Sequence, residues 1–162
     1  MDISSETQTP PEVHIDTVIL RALIDEKDDS RTRLPAIHFF NRESRRIGIS
    51  LFATGEAFQG ISNERDTASL SESAANLSLL MRRGRVVTIG SGDNSREVVP
   101  IALELMHRQR LDCTDALILS TAVTDKHCKE FYTTDSKLVL GNYLKEVARM
   151  SGKRFISIPV RD

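Results

Sequence analysis

Short apolar runs alternate along the chain with longer segments that repeat apolar residues every three or four positions. The short runs are typical of buried strands, and they lie at residues 13–15, 47–50, 85–89, 131–134 and 154–158. The longer segments have helical spacing, and they lie at residues 17–25, 34–43, 51–60, 74–83, 95–109, 113–126 and 136–150. Residues 62–73 are polar, and the pattern leaves them either helical or loose.

This alternation predicts an α/β fold. Strands separated by helices pair in parallel, and the connecting helices cover both faces of the sheet. We therefore expect a single-domain three-layer α/β/α sandwich with a central parallel sheet, spanning residues 12–162. Residues 1–11 are polar and acidic, and we expect them to form a disordered leader.

The composition narrows the function. The chain has 162 residues and a net charge of −1, so any affinity for nucleic acid must come from local patches. Aromatic residues make up only 5%, which argues against base-stacking platforms. No apolar run approaches the ~20 residues that cross a bilayer. Cys113 and Cys128 are too few for a disulfide scaffold, and we expect reduced thiols in a cytoplasmic protein.

Four acidic residues stand at informative places in this pattern. Asp16 and Asp135 follow predicted strands, and the carboxyl ends of parallel strands share one edge of the sheet. Asp115 lies in the first turn of a predicted helix. Glu56 lies in a nearly uncharged helical segment, where a carboxylate costs free energy unless it is paired or binds a metal.

Each acid also has a purely structural interpretation. Asp is a preferred helix N-cap, which would account for Asp16 and Asp135. An acid in the first helical turn, such as Asp115, is favoured by the helix dipole. The expected convergence of all four is more informative, because crowded carboxylates repel one another unless a cation neutralises them. Oxygen-only ligands suit Mg²⁺ or Mn²⁺, and such ions promote phosphodiester hydrolysis.

Four segments resemble motifs of the PIN-domain family, and they occur in the family's order. Val13 to Thr17 resembles its first strand ending in Asp-Thr, and Ile49 to Glu56 resembles the strand and helix that carry the family glutamate. Leu111 to Ala122 is similar to its Asp-Ala-Leu-Ile helix, and Phe131 to Leu138 is similar to its Thr-Asp-x-x-Leu element. The last two segments are the most specific.

The resemblance implies a metal-dependent endoribonuclease that cuts RNA with Mg²⁺ or Mn²⁺ held by Asp16, Glu56, Asp115 and Asp135. It also implies a homodimer, and often the toxin half of a VapBC-type pair with a protein antitoxin. One position departs from the family: Val18 stands where Asn or Ser usually supports the acids. This departure favours the alternative of an inactive PIN-like scaffold that binds RNA or a protein. A phosphatase with an aspartyl nucleophile is a third alternative, but it also needs an Asp at position 18.

Further side chains are candidates for supporting roles. Thr17, Thr114 and Thr134 could donate hydroxyl hydrogen bonds near the acids, or simply cap helices and pack in the sheet. Two arginine clusters, Arg42/Arg45/Arg46 and Arg82/Arg83/Arg85, could bind RNA phosphates or form solvated faces. Arg21, one helical turn beyond Asp16, is nearer the expected site.

Overall fold

A computed structural model describes residues 9–90 and 95–160. These residues form five strands and eight helices. The strands are β1 (Val13–Ile15), β2 (Ile47–Ser50), β3 (Val86–Ile89), β4 (Glu130–Thr133) and β5 (Arg154–Ser157). The helices are α1 (Thr17–Ile24), α2 (Arg33–Arg42), α3 (Leu51–Glu64), α4 (Thr67–Arg82), α5 (Ser95–Gln109), α6 (Cys113–Thr124), α7 (Ser136–Leu140) and α8 (Asn142–Ser151).

The five strands form one parallel sheet in the order β3-β2-β1-β4-β5. Strand β1 lies at the centre, and all three of its residues are buried. Because every strand runs the same way, every carboxyl end reaches the same edge of the sheet. The predicted three-layer α/β/α sandwich with a central parallel sheet is confirmed.

Two apolar cores cover the two faces of the sheet. Val13 and Ile15 of β1 pack with residues of α1, α3 and α4 in the first core. Phe131 of β4 packs with residues of α5, α6 and α8 in the second. The side chain of His14 is buried and lies 2.9 Å from a carboxylate oxygen of Asp125, which follows α6. Alternate residues of β1 therefore face opposite layers, as the two-residue period of a strand requires.

The region of uncertain conformation at residues 62–73 is almost wholly helical. Helix α3 continues to Glu64, beyond the predicted end at residue 60. Helix α4 begins at Thr67, after an N-cap in which the Asp66 carboxylate accepts a hydrogen bond from the Ser69 backbone amide at 2.8 Å. The expected isolated helix at residues 74–83 is therefore the second half of a longer one.

The single helix predicted for residues 136–150 is instead two helices, divided at Gly141. The side chain of Gln109 fills the break, because its Oε1 accepts a hydrogen bond from the Leu144 amide at 2.6 Å. A Cβ atom at position 141 would lie 2.1 Å from the Gln109 side chain. The break therefore depends on a contact between α5 and α8 that local spacing does not reveal.

Some predictions fall on other parts of the chain. Most of the leader expected at residues 1–11, and most of the turn expected at residues 90–93, lie outside the described residues. Cys113 and Cys128 are both free. Among the described residues, no helix is long and apolar enough to cross a membrane.

Candidate metal and active site

The four predicted acids line one cavity of about 480 Å³ at the carboxyl edge of the sheet. Asp16 follows β1 and caps α1, and Asp135 follows β4 and caps α7. Asp115 lies in the first turn of α6, and Glu56 lies in the second turn of α3. Residues 20 to 119 positions apart thus share one cavity, because the parallel strands bring their carboxyl ends to one edge.

Asp16 is the most deeply buried of the four, with 2% of its surface exposed. Its carboxylate accepts a hydrogen bond from the Ile19 amide at 2.9 Å and another from the Thr133 hydroxyl. Burial raises the pKa of Asp16 to about 6, the two hydrogen bonds oppose this rise, and the charges of Asp135 and Glu56 add to it. The carboxylate is therefore fixed in position but costly to ionise.

Two threonine hydroxyls hold carboxylates of the site. Thr17 donates to Glu56, as considered from the sequence. Thr133 donates to Asp16, whereas Thr114 and Thr134 make no hydrogen bond to the four acids in the described part of the chain. The sheet register explains Thr133: Ile15 pairs with Tyr132, so the next residues, Asp16 and Thr133, lie side by side.

Asp115 also has a pKa raised by burial, and here a further neighbouring acid, Asp112, contributes. Burial raises its pKa to about 7, with contributions from the neighbouring Asp112 and then from Glu56 and Asp135. Asp112 is the N-cap of α6 and accepts a hydrogen bond from the Asp115 amide at 2.9 Å. Asp112 does not line the cavity, so its structural role as a cap accounts for it.

The donor chemistry of this cavity fits a hard divalent cation. The four side chains offer only carboxylate oxygens, and their charges raise the pKa values of Asp16 and Asp115. Among the described residues, however, no three His, Cys, Asp or Glu side chains are arranged closely enough to hold a metal ion. The carboxylates would therefore have to move closer together around a cation, and their role as ligands stays a prediction.

The rest of the cavity wall includes Val18, where the chain departs from the PIN-domain pattern, and two arginines. Val18 lines the cavity and is 37% exposed, so its apolar side chain faces the site. Arg21 and Arg65 are the only cationic side chains among the described lining residues. Arg65 was not a candidate from the sequence, because it follows α3 and reaches the cavity only through the packing of α3 against α1.

The two arginine clusters lie elsewhere. Arg45 and Arg46 directly precede β2, and Arg85 directly precedes β3, so they stand at the amino edge of the sheet. Arg45 pairs with Glu43 and Glu130, and the Arg85 guanidinium donates to backbone carbonyls. These residues do not line the acidic cavity.

Comparison with known proteins agrees with this geometry at the level of the fold. A scan against protein-family models found no match, and a search of curated proteins found no similar sequence. The architecture is that of a PIN-domain, VapC-like fold. It is similar to VapC20 of Mycobacterium tuberculosis, described as a toxin that cleaves the sarcin-ricin loop, with a TM-score of 0.59 and 15% identity over 78% of this chain and 92% of that one.

A second solved structure is VapBC2 of Rickettsia felis, bound to a DNA fragment from its promoter. The TM-score is 0.57 and the identity is 16%, over 90% of this chain and 97% of that one. At these identities the likeness concerns the fold. The resemblance in short motifs is therefore accompanied by a likeness of fold over 78% and 90% of this chain.

Proposed function

We propose that this chain is an endoribonuclease that depends on Mg²⁺ or Mn²⁺ and hydrolyses phosphodiester bonds of RNA. The observation that carries the proposal is the convergence of Asp16, Glu56, Asp115 and Asp135 on one cavity at the carboxyl edge of a PIN-like sheet. A structural role at a helix N-terminus explains three of these acids singly, as caps for Asp16 and Asp135 and as a first-turn acid for Asp115. It does not explain why four carboxylates from four elements share one cavity at a cost in free energy.

The four acids would bind the cation together, and they differ in how the fold supports them. Asp16 and Glu56, oriented by the Thr133 and Thr17 hydroxyls, supply fixed carboxylates, while Asp115 and Asp135 at the heads of α6 and α7 supply the other two. All four would hold the cation. When bound, Mg²⁺ or Mn²⁺ acts as a Lewis acid that activates water and stabilises charge on the phosphodiester.

The two solved structures also support a proposal about partners. VapC20 is a toxin, and VapBC2 is a complex of the VapBC type. We extend the proposal to a toxin of a VapBC-type pair that is bound by a protein antitoxin and forms a homodimer. RNA is its substrate, and the cytoplasm is its site of action.

One observation favours a second candidate, a PIN-like scaffold that binds RNA or a protein without cutting. Val18 presents an apolar side chain to the cavity, where a polar residue would support the acids. The two functions differ in their response to metal. A nuclease site is stabilised by Mg²⁺ or Mn²⁺, and the gain rises with ion concentration above the dissociation constant, whereas a scaffold without a metal site gains no such stability.

The deciding experiment compares Asp115→Asn with Asp112→Asn. Both changes remove one carboxylate from α6, but only Asp115 lines the cavity, and Asn is as good an N-cap as Asp at position 112. We expect Asp115→Asn to lose Mn²⁺-dependent RNA cleavage by on the order of 100-fold, as when one transition-state stabilising group is removed. Asp112→Asn should retain it.

Thermal unfolding with and without Mn²⁺ completes the test. The parent and Asp112→Asn should gain stability from the ion, and Asp115→Asn should gain less. Undiminished cleavage by Asp115→Asn would refute the proposed nuclease activity. A parent chain that neither cuts RNA nor responds to the ion would support the scaffold instead.

A further inference from the structure

The acidic cavity has a cationic wall one helical turn away from the acids. Helices α1 and α3 run side by side in the same direction, as shown by contacts between Thr17 and Glu56 and, farther along, between Arg21 and Gly60. Each step of four residues advances about 6 Å along a helix. The Arg21 guanidinium therefore lies beside the acids in the same cavity, displaced along the helix axes.

Gly60 leaves the space that Arg21 occupies. A Cβ atom at position 60 would lie 3.2 Å from Nη1 of Arg21, which is tighter than ordinary contact. The absence of a side chain at this point of α3 lets the guanidinium lie against the helix. Arg21 is consequently held at the cavity wall and is only about one-fifth exposed.

A buried carboxylate lies between Arg21 and Arg65. Asp25 is 2% exposed, and its Oδ2 atom lies 3.8 Å from Nε of Arg21 and 3.6 Å from Nε of Arg65. Within the described residues, none of these three atoms has a hydrogen-bond partner. Asp25 thus turns the Nε edge of both guanidiniums inward. The Arg65 Nη2 atom also donates to the Lys27 carbonyl at 2.9 Å.

The outer edge of Arg21 is occupied by Glu64. Both terminal nitrogens of Arg21 donate to the two carboxylate oxygens of Glu64, one of them at 3.0 Å. This two-point pairing is the geometry in which a guanidinium also binds a phosphate. The Glu64 side chain is 53% exposed, so water can solvate it when it leaves, and exposed ion pairs contribute little to stability.

The excess of negative charge in the cavity makes its two arginines important for binding a polyanion. The described lining includes seven carboxylates and two cations, Arg21 and Arg65. A polyanion entering such a cavity needs cations beyond those that neutralise the four acids. Arg21 and Arg65 are the only lining side chains among the described residues that can supply them.

We infer that Arg21 and Arg65 form a phosphate-binding subsite for the RNA strand beside the cleavage site, and that Glu64 occupies this subsite until an RNA phosphate displaces it. Asp25 is a positioning residue that orients both guanidiniums. The inference rests on the proposed function for the identity of the ligand as RNA. It adds a recognition element that lies outside the four acids.

The test measures binding separately from cleavage. A short labelled single-stranded oligouridine is titrated with the full chain carrying Asp115→Asn, in Mg²⁺, at several salt concentrations, and fluorescence anisotropy reports binding. Arg21→Gln and Arg65→Gln should each weaken binding and reduce the slope of log affinity against log salt by about 0.7, the value for one lost phosphate contact on a single strand. Arg21→Lys should keep the slope, because it keeps the charge.

Glu64→Gln should have the opposite effect. Removing the internal competitor should tighten binding about two- to five-fold, the range of an exposed ion pair. Glu104→Gln is the matched control, because Glu104 forms an exposed pair with Arg108 at 2.6 Å and neither residue lines the cavity. It should leave binding unchanged. Asp25→Asn should weaken binding without changing the slope, since both charges remain.

The two proposals fail in different ways. An unchanged salt slope in Arg21→Gln and Arg65→Gln, or equal binding by Glu64→Gln and Glu104→Gln, would overturn the subsite. So would an Asp115→Asn chain that does not bind the oligouridine. Failure of the proposed nuclease would instead appear as absence of Mn²⁺-dependent cleavage by the parent. Thermal unfolding of each variant separates loss of binding from loss of fold.

Discussion

Asp16→Asn is expected to stabilise the protein when no divalent ion is present. Asp16 is buried, and its pKa is raised from 3.8 to about 6, chiefly by burial. A shift of about 2 pKa units corresponds to about 3 kcal/mol of unfavourable free energy in the ionised folded protein, at about 1.4 kcal/mol per unit. Asn removes this cost and still accepts the hydrogen bond from the Ile19 amide, since Asn caps helices as well as Asp does.

The net gain is smaller than this, because the new amide group must find a hydrogen-bond partner. That requirement costs about 1 kcal/mol, so we expect Asp16→Asn to be more stable than the parent by about 1–2 kcal/mol near neutral pH. The gain depends on pH. The folded protein holds the Asp16 proton more tightly than the unfolded chain does, so the parent loses stability as the pH rises from about 4 through about 6.

Urea unfolding in EDTA, followed by far-ultraviolet circular dichroism, measures this difference. The advantage of Asp16→Asn should grow by about 2 kcal/mol between about pH 4 and about pH 7.5, and it should level off above that range. Adding Mg²⁺ should reduce or reverse the stability advantage of Asp16→Asn, because the ion stabilises only the chain that binds it. An advantage that is equal at both pH values, or a less stable variant at pH 7.5, would refute the assigned cost of ionising Asp16.

Two further predictions concern the sheet and the support of the acids. Gly48→Ala should lower the free energy of unfolding by about 1–3 kcal/mol, because the new Cβ would lie 2.6 Å from the buried ring of His14. Gly55 lies in α3 with open space around it, so Gly55→Ala should raise the free energy of unfolding by up to about 1 kcal/mol. The same urea assay measures both changes. Thr133→Val should raise the pKa of Asp16 further, because it removes the hydroxyl whose hydrogen bond favours the ionised carboxylate. In an NMR titration, the midpoint of the Asp16 carboxylate chemical shift should move to higher pH. An unchanged midpoint would contradict this role of Thr133.

The sequence determined the class of fold and the location of the acids. The alternation of apolar runs with helical spacing required a parallel sheet, because strands separated by helices return in the same direction. The acids that directly follow strands, Asp16 and Asp135, were consequently expected at one edge. These conclusions need only local periodicity and connection rules, and the structure agrees with both. The metal and the catalytic roles remain predictions.

The tertiary structure decided everything that depends on which residues meet across the fold. Thr133, not Thr134, reaches Asp16, because the register of β1 against β4 places those two residues side by side. Gly141 divides a predicted helix, because the side chain of Gln109 enters from α5. Register and packing between elements distant in the chain set these contacts, and periodicity along one segment carries no information about its neighbours.

The cationic wall of the cavity also depends partly on the sequence and partly on the tertiary structure. Arg21 was a candidate because it lies one turn beyond Asp16, a distance that the sequence alone fixes. Its pairing with Glu64 and its proximity to Arg65 depend on how α1 packs against α3. The arginine clusters that the sequence made prominent lie at the opposite edge, because they precede their strands and do not follow them. A charge run shows where cations are dense, but only strand direction and packing show which of them face the acids.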